Sequence, residues 1–258
     1  MKVIVESGAT KSDWRLISPE GATINRIVLP GINVSTASME HNLSTISEGL
    51  KALGPTELDG LYFYTAGIVT EDLRQLLGTL IQSHIKVAEI EINNDLMAAA
   101  RAVCGRSSGI AAIVGTGTNT CFYDGRTLSQ KVRSGGYIIG DEGGSAVLGK
   151  LFLADFIKGL VPAEVADDFA SRFDASYAGI VENVYRSATP ARYLGSLAPF
   201  IVEHYGDPYI NSLVDGNFRA FIGRSLKRYD TERHPVGVVG GFAWACKDIF
   251  RRLCEEAG

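Results

Sequence analysis

Two parts of the sequence show the same order of elements, in which a glycine-rich loop joins two strands and a turn precedes a third. The first part begins at Lys2 and carries the loop Gly8-Ala9-Thr10-Lys11. The second begins at Gly109 and carries the loop Gly115-Thr116-Gly117-Thr118. A pattern of elements that recurs along a chain indicates a repeated architecture. The sequence therefore predicts two α/β domains that open in the same way.

The rest of the chain alternates strands and helices at first and then becomes mostly helical. Between the two loops, apolar spacing and capping residues predict helices at 36–53, 70–83 and 96–104 and strands at 58–65 and 87–92. Helices are predicted from residue 145 to about residue 229, followed by a strand at 236–239 and a helix at 241–257. We therefore expect a first domain at 1–106 and a second, with a helical insertion, at 107–258.

Composition excludes several classes of protein. The 258 residues are enough for a large core, and 46% of them are hydrophobic while 21% are charged, which argues against disorder. A formal net charge of −4 argues against a nucleic-acid partner, because phosphate binding needs a basic surface. No apolar run reaches the roughly 18 residues of a membrane helix, and no signal-peptide core follows Met1. We predict a cytoplasmic protein with no membrane or nucleic-acid partner.

Both glycine loops suit a phosphate group. Small residues let backbone N–H groups point at an anion, and Thr10 and Lys11 add a hydroxyl and a positive charge. Neither loop matches GxxxxGK[ST], and neither matches GxGxxG followed by a distant acidic residue, which disfavours Walker-type NTPases and Rossmann dinucleotide sites. Either loop by itself is also compatible with an ordinary turn. The two together favour a polyphosphate ligand.

Carboxylates stand at two predicted loops. Asp95 follows Asn94 between a strand and a helix, where it suits a helix cap and also the removal of a proton from a substrate hydroxyl, two roles that do not exclude each other. Asp141 and Glu142 lie among glycines in the stretch 140–145, before another helix. They serve either a turn and helix cap or the recognition of ligand hydroxyls.

Other positions allow a close approach of the backbone to a ligand. Gly135-Gly136 precede the acidic stretch, and Gly240-Gly241 join the last strand to the last helix. Glycines at the latter position admit a flat ring or a phosphate, or only close packing of strand and helix. Asn33, after Pro30-Gly31-Ile32, offers its amide to sugar hydroxyls or forms a turn.

In this order, and over nearly the whole chain, the motifs resemble those of the acetate and sugar kinase, Hsc70 and actin superfamily. Within it the chain is similar to the N-acetylglucosamine kinase-like group of the BadF-type ATPases. GTGTN at 115–119 and GDEGGSA at 140–146 are together the specific part of the resemblance. It implies two ribonuclease-H-like domains of the actin and hexokinase type flanking an ATP cleft. The implied reaction uses ATP and Mg2+ to phosphorylate an amino-sugar hydroxyl, as in the conversion of N-acetylglucosamine to its 6-phosphate.

The resemblance also implies a role for each motif. Asp95 would be the catalytic base, and Glu6 would hold Mg2+ through water. ATP would bind at the glycine loops, that is at Gly8, Ala9, Thr10, Lys11, Gly115, Thr116, Gly117, Gly240 and Gly241. The sugar would bind at Asn33, Asn94, Thr116, Gly136 and Asp141. A homodimer is a further expectation of the superfamily.

Three features depart from the family pattern. Glu6 stands where such kinases usually have Asp, so the carboxylate that orients magnesium is one methylene longer. Tyr137 stands where a Trp is common, which would retune the sugar pocket. Family members usually continue beyond the loop that lies by the adenosine, which is Gly240-Gly241 here, with a segment that packs on the first domain. We therefore expect either a truncated chain or a different last helix.

Two other functions stay open at this point. Activator ATPases related to benzoyl-CoA reductase share the ATP loops but hold an iron–sulfur cluster between subunits. The four cysteines here (Cys104, Cys121, Cys246 and Cys254) form no CxxC pair, and the sequence favours their being small buried residues. The second alternative is a non-catalytic sugar sensor. Repressors of the superfamily carry an N-terminal DNA-binding module, whereas this sequence starts at the first strand.

Overall fold

The structure is a computed structural model that describes residues 1–8, 11–34, 38–65, 67 and 70–258. It divides into two compact units, Met1–Ala98 and Ala99–Gly258. The division lies inside a helix and slightly before the boundary that we placed after residue 106, and that boundary stays a prediction.

The first unit is built on one five-stranded mixed sheet. Its strands are β1 (Lys2–Ser7), β2 (Lys11–Ile17), β3 (Thr23–Pro30), β4 (Glu57–Thr65) and β5 (Lys86–Asn94), in the order β3-β2-β1-β4-β5. The β1–β2 and β2–β3 pairs are antiparallel, whereas β1 pairs with β4 and β4 with β5 in parallel. Its helices are α1 (Met39–Leu53), α2 (Glu71–Gln82) and the start of α3 (Asp95–Cys104). The mixed α/β class that the sequence predicted is confirmed.

Alternation along β1 decides which of its side chains enter the core. Val3, Val5 and Ser7 are fully buried, while Ile4 and Glu6 point to the other side of the sheet and are exposed. Side chains two residues apart lie on one face of a strand, so this pattern places the strand's apolar face against the helices. Glu6 therefore lies on the opposite face of the sheet from the valines.

Side-chain caps start the first two helices. The Ser38 hydroxyl accepts a hydrogen bond from the His41 N–H (3.2 Å) at the start of α1, and Gly54 ends that helix with φ of 88°. At α2 the Thr70 hydroxyl accepts from the Leu73 N–H (3.3 Å), as the sequence predicted. The predicted start of α1 at residue 36 lies outside the described residues.

The second unit repeats the strand arrangement of the first. Its strands are β6 (Gly109–Val114), β7 (Thr118–Tyr123), β8 (Leu128–Val132) and β9 (Val236–Val239), in the order β8-β7-β6-β9. The β6–β7 and β7–β8 pairs are antiparallel and the β6–β9 pair is parallel. This order and these directions match β3-β2-β1-β4, so the repeat that we inferred from two glycine loops is a repeat of sheet topology.

The helices of the second unit lie almost entirely between β8 and β9, as expected. They are α4 (Gly136–Ile139), α5 (Ser145–Phe156), α6 (Ala163–Arg172), α7 (Tyr177–Val181), α8 (Pro190–Ser196), α9 (Ala198–Glu203), α10 (Pro208–Arg224), α11 (Gly241–Ala245) and α12 (Lys247–Ala257). A π-helical turn at Glu182–Arg186 and a 3-10 turn at Leu226–Arg228 complete them. Among the described residues, no helix has both the length and the apolar character needed to cross a membrane.

The carboxyl-terminal segment differs from the single helix that we predicted at 241–257. Cys246, with φ of −106° and ψ of 22°, leaves helical geometry and separates α11 from α12. Ion pairs join α12 to α10, with Arg252 bound to Asp215 (2.7 Å) and Glu256 bound to Arg219 (2.5 Å). Within the second unit the last helix therefore packs on α10.

A tight contact between α1 and the sheet explains a glycine in the middle of a helix. Trp14 is fully buried, donates from its indole N–H to the Ser12 hydroxyl (2.8 Å) and meets the edge of Phe63 with the ring centroids 5.6 Å apart. A Cβ at Gly49 would lie 2.8 Å from the Trp14 ring. Because this ring is fixed on several sides, the glycine is required for α1 to approach the sheet.

We expect Gly49→Ala to destabilise the protein, although alanine normally favours a helix. Overpacking a core costs about 1–3 kcal/mol, which outweighs the gain of about 1 kcal/mol in helix propensity. Gly216→Ala in α10 is the matched control, because nothing lies within 4 Å of a Cβ there and the residue is exposed. Circular dichroism should show a lower unfolding midpoint for Gly49→Ala and an equal or higher one for Gly216→Ala. An equal rise of the unfolding midpoint in both variants would contradict the packing argument.

Candidate functional site

The candidate residues of the first unit come together at one edge of its sheet. Glu6 in β1 is paired with Tyr64 in β4, and Tyr64 is paired with Asn93 in β5. All three strands run in the same direction, so their carboxyl ends share an edge. Asp95, the second residue after Asn93, therefore lies at the same edge as Glu6.

Asn94, not Asp95, caps helix α3. The Asn94 side-chain oxygen accepts a hydrogen bond from the Met97 N–H (3.0 Å), while the Asp95 carboxylate accepts from the adjacent Leu96 N–H (2.9 Å). The alternative that made Asp95 the cap is therefore wrong, because the amide one position earlier already satisfies that role. Asp95 is the first residue of the helix, a position that favours a carboxylate.

The electrostatics of this edge centre on Glu6. Desolvation by the surrounding protein raises the pKa of the Glu6 carboxyl, although part of the side chain is open to solvent. The negative charge of Asp95 raises that pKa further, and the positive charge of Lys11 opposes both effects. Two carboxylates that repel each other beside an ammonium group form an edge suited to a cation and an anion bound together.

The first glycine loop is closed by a backbone hydrogen bond from the Gly8 N–H to the Lys11 carbonyl (3.1 Å). Among the described residues, nothing lies within 4 Å of a Cβ placed at Gly8, which leaves space beside the backbone there. Lys11 begins β2 and is paired with Pro30 at the end of β3. Ala9 and Thr10, which we predicted to contact ATP, lie outside the described residues.

The backbone of Asn33 is held in place by buried polar side chains that sequence reasoning missed. The Ser7 hydroxyl accepts from the Ile32 N–H (2.7 Å), and the Thr65 hydroxyl donates to the Ile32 carbonyl (2.7 Å). Asn42 accepts from the Asn33 N–H (3.2 Å) and donates to the Asn33 carbonyl (3.3 Å). Strands β1 and β4 and helix α1 thereby fix the position from which Asn33 projects.

In the second unit the glycine loop after β6 is bound directly to the start of α5. The Gly115 carbonyl accepts from the Ser145 N–H (2.9 Å), and the Thr116 carbonyl accepts from the Ala146 N–H (3.0 Å). Within the loop, the Gly115 N–H donates to the Gly117 carbonyl (2.9 Å). The GTGT and GDEGGS motifs, separate in sequence, therefore form a single structure.

Asp141 lies against this loop because Gly117 has no side chain. A Cβ on Gly117 would collide with the Asp141 carboxylate, and Asp141 itself has φ of 57°, the one positive value among the described non-glycine residues. Desolvation raises the pKa of the Asp141 carboxyl, and hydrogen bonds from the Thr118 amide and the Ser134 hydroxyl only partly oppose this. A fixed, desolvated acceptor of this kind suits the hydroxyl groups of a ligand.

A buried asparagine holds the other half of the acidic motif. Asn217, on α10, accepts from the Gly143 N–H (2.9 Å) and donates to the Gly144 carbonyl (3.2 Å). The neighbouring carboxylate, Glu142, instead forms an ion pair with Arg224 (2.6 Å). The two adjacent acids therefore have different surroundings, and only Asp141 lies at the glycine loop.

The remaining predicted residues of the second unit lie at the same end of its sheet. Gly136 has φ of 75°, and its carbonyl accepts from the Gly140 N–H (2.8 Å), which closes this segment onto the acidic motif. Gly240 has φ of 120°, and a Cβ there would collide with the Val114 carbonyl at the end of β6. Gly241, which follows it, borders a cavity of about 280 Å3.

Each unit thus gathers its own set of predicted residues. The first brings together the described candidates Glu6, Gly8, Lys11, Asn33, Asn94 and Asp95, and the second brings together Gly115, Thr116, Gly117, Gly136, Asp141, Gly240 and Gly241. Asn42 and Asn217 carried one detectable signal, an amide within the apolar pattern of a helix. Nothing in the sequence marked Ser7 or Thr65.

The fold is similar to those of solved structures of kinases. A putative N-acetylglucosamine kinase from Porphyromonas gingivalis shares 35% sequence identity with a TM-score of 0.94, covering 100% of this chain and 92% of that one. A second, from Chromobacterium violaceum, has a TM-score of 0.77 and 19% identity, covering 98% of this chain and 92% of that one. A ROK family glucokinase from Streptomyces griseus, in complex with glucose and AMPPNP, has a TM-score of 0.55 and 14% identity, covering 99% and 88%. The last two show the fold alone. Neither the models of protein families nor the curated proteins give a match.

We expect Asp141→Asn to stabilise the protein at neutral pH. The raised pKa means that the folded state binds a proton more tightly than the unfolded state, so the wild type loses stability as pH rises through the folded-state pKa. The amide carries no charge and avoids this loss. Thermal unfolding measured between about pH 4 and 8 should give the variant a higher midpoint temperature than the wild type at pH 8. The difference in midpoint should shrink as the pH falls towards 4.

Asp124→Asn is the matched control with the opposite sign. Hydrogen bonds from the Thr127 and Arg126 amides lower the pKa of Asp124, so its carboxylate stabilises the fold at neutral pH and ceases to do so as pH falls. At pH 8 this variant should have a lower midpoint temperature of unfolding than the wild type, and the two midpoints should converge as the pH falls. The same pH trend in both variants would contradict the assignment for Asp141.

Proposed function

Since the chain belongs to the N-acetylglucosamine kinase-like family, as 35% identity over its full length shows, we propose that it transfers the γ-phosphoryl group of ATP to an amino sugar. The proposed acceptor is the 6-hydroxyl of N-acetylglucosamine, and the products are the 6-phosphate and ADP. The coarser activity, that of a sugar kinase, agrees with the fold of the related structures.

The observation that carries the proposal is the position of Asp95. This carboxylate stands at the carboxyl edge of three parallel strands, on the first turn of α3, with Glu6 and Lys11 acting on the same edge. Phosphoryl transfer needs a group that aligns the acceptor hydroxyl and takes its proton, together with charges that neutralise phosphate. The three side chains supply these requirements.

In the proposed reaction Asp95 accepts the proton of the sugar hydroxyl as its oxygen bonds to the γ-phosphorus. The bond between that phosphorus and the bridging oxygen of ADP breaks in the same step. Because such transition states are loose, aligning the sugar hydroxyl contributes more to the rate than the strength of Asp95 as a base. Asn94 supports this role by capping α3, which fixes the first turn that carries Asp95.

The second unit supplies the other groups that we assign to ATP and sugar. We assign the loop Gly115-Thr116-Gly117 to phosphate, and its hydrogen bonds to the start of α5 hold its backbone in place. Asp141 accepts hydrogen bonds from sugar hydroxyls, with Thr116 and Gly136 as its neighbours. Gly240 and Gly241 admit the nucleoside beside the last strand.

The residues of the first unit fit a magnesium ion. Mg2+ in proteins keeps several waters and is held by one or two carboxylates plus substrate phosphates. Glu6 supplies such a carboxylate, and a cation beside it would oppose the desolvation and the repulsion from Asp95 that raise its pKa. Glu6 would hold the ion through water, and the ion would neutralise phosphate charge.

The activator-type ATPase is less well supported than the kinase. A cluster shared between subunits needs cysteines at the protein surface, and Cys121 and Cys246 are buried. Cys104 and Cys254 are partly buried. A sugar sensor without activity stays an alternative outcome of the experiment below, and the homodimer and the cytoplasmic location stay predictions.

The test is a coupled ADP-release assay with ATP and Mg2+ against amino sugars and plain hexoses. ADP release that depends on N-acetylglucosamine, with a new phosphomonoester on carbon 6 in the NMR spectrum, is the expected result. Release without any sugar would favour the activator-type ATPase. Binding of ATP and sugar with no release would favour a sensor and contradict the proposal.

Asp95→Asn should lose most of kcat while retaining the binding of sugar and ATP. General-base and alignment roles contribute about 10²–10⁴-fold, so a loss of that size is expected. Asp72→Asn is the control, because Asp72 also lies in the first turn of a helix of the same unit but is exposed to solvent. Calorimetry measures binding and the coupled assay measures kcat. Unchanged turnover in Asp95→Asn would rule out its role as base.

Glu6→Gln should weaken magnesium use and leave the sugar KM unchanged. An amide is a poorer acceptor for metal-bound water, and loss of such outer contacts typically costs about 10–100-fold in metal affinity. The measurement is the Mg2+ concentration for half-maximal activity, supported by Mn2+ binding in electron paramagnetic resonance with AMPPNP. Glu57→Gln, an exposed glutamate at the start of β4, is the control. Equal magnesium dependence in both variants would remove Glu6 from the metal site.

A further inference from the structure

One end of the cavity beside Gly241 lies at the glycine loop Gly115-Thr116-Gly117. Ser145, which lines it, donates its backbone N–H to the Gly115 carbonyl (2.9 Å). Gly195, also in the lining, lies so close that a Cβ there would be 2.8 Å from the Ser145 hydroxyl and 3.4 Å from the Thr116 methyl group. This end of the cavity therefore adjoins the residues that we assign to phosphate.

Two short helices form the walls of the outer part. Ala198, Pro199 and Val202 of α9 contribute on one side, and Phe242 and Ala245 of α11 contribute on the other. All five side chains are apolar. With a volume of about 280 Å3, the cavity has room for a nucleobase between these walls. A ligand with its phosphates at Gly115 would place its base here.

The lining has few side chains that could form hydrogen bonds with the edge of a base. Of the side chains that line this cavity, only those of Ser145 and Cys246 carry a hydrogen-bonding atom. Ser145 lies at the phosphate end, and burial raises the pKa of the Cys246 thiol to about 11, which leaves it a weak donor. Adenine and guanine differ at their polar edge, and no carboxylate or amide side chain of the lining meets that edge.

We propose that this cavity binds the base of the phosphoryl donor through apolar side chains, with no side chain that reads its polar edge, so that the enzyme accepts purine nucleoside triphosphates as a class. The proposal rests on the proposed kinase function and specifies its donor. A site that hydrogen-bonds its substrate rejects an analogue by about 10⁴–10⁵-fold, whereas apolar contact discriminates by about 10–200-fold at most. For two purines of nearly equal size we expect ATP and GTP to differ in kcat/KM by no more than about tenfold.

The first test measures kcat/KM for ATP and GTP with saturating sugar and Mg2+. Calorimetric binding of AMPPNP and of the corresponding guanosine analogue gives a readout that needs no turnover. Ratios of no more than about tenfold in both measurements support the proposal, and a larger ratio in either overturns it. If no nucleotide phosphorylates any sugar, the kinase function fails, and the binding ratio still decides this inference.

The second test places the base in this cavity. Ala245→Leu and Val202→Phe fill it from opposite walls, and each should raise the KM for ATP and for GTP by the same factor while the sugar KM is unchanged. Ala163→Leu, at an exposed position of α6, is the matched control and should leave every KM unaltered. Unchanged nucleotide KM values in both filled variants, with unfolding midpoints like the wild type, would show that the base binds elsewhere.

Discussion

Parallel pairing of strands within each sheet decides where the chemistry of this protein lies. β1, β4 and β5 run in one direction in the first unit, and β6 and β9 do so in the second. Loops that follow parallel strands emerge at one edge, whatever the distance between them along the chain. Asp95 thereby reaches the edge that carries Glu6, and Gly240 reaches the edge that carries Gly115.

The glycines of the motifs do not all have the same physical role. In the second unit, a Cβ at Gly117 would displace the Asp141 carboxylate, and one at Gly240 would overlap the Val114 carbonyl. These are steric requirements of the folded structure. Gly8 meets no such neighbour in the described part of the chain, so its glycine leaves space beside the backbone rather than permitting an internal contact. The two loops resemble each other in sequence but differ in what enforces glycine.

Charge at the site comes at a cost to stability, and the rest of the structure offsets it. Desolvation raises the pKa of both Glu6 and Asp141, so both carboxylates are less stable in the folded protein than in water. Perturbed carboxyl groups of this kind cluster at functional sites. Asn42 and Asn217 provide compensation, because each satisfies a backbone N–H and a carbonyl of the loops beside those charges. Two buried amides therefore fix the backbone of these loops by paired hydrogen bonds.

The sequence by itself determined the recurring succession of strands, the approximate limits of the strands and of the first three helices, and the identity of the polar loops. Short-range patterns suffice for these, since alternation in β1 or a threonine cap at α2 depends on neighbouring residues. Helix boundaries that depend on burial, such as the break at Cys246, did not follow from the pattern.

Only the tertiary structure decided which residues act on one another. It gave Asp141 and Glu142 different partners and the capping role to Asn94 instead of Asp95. It also revealed buried side chains, such as Asn217, that hydrogen-bond the backbone of the loops. The apolar cavity beside Gly241 likewise depends on α9 and α11, which are distant in sequence. The physical reason is that desolvation and steric exclusion depend on all the atoms around a group, and those atoms come from distant parts of the chain.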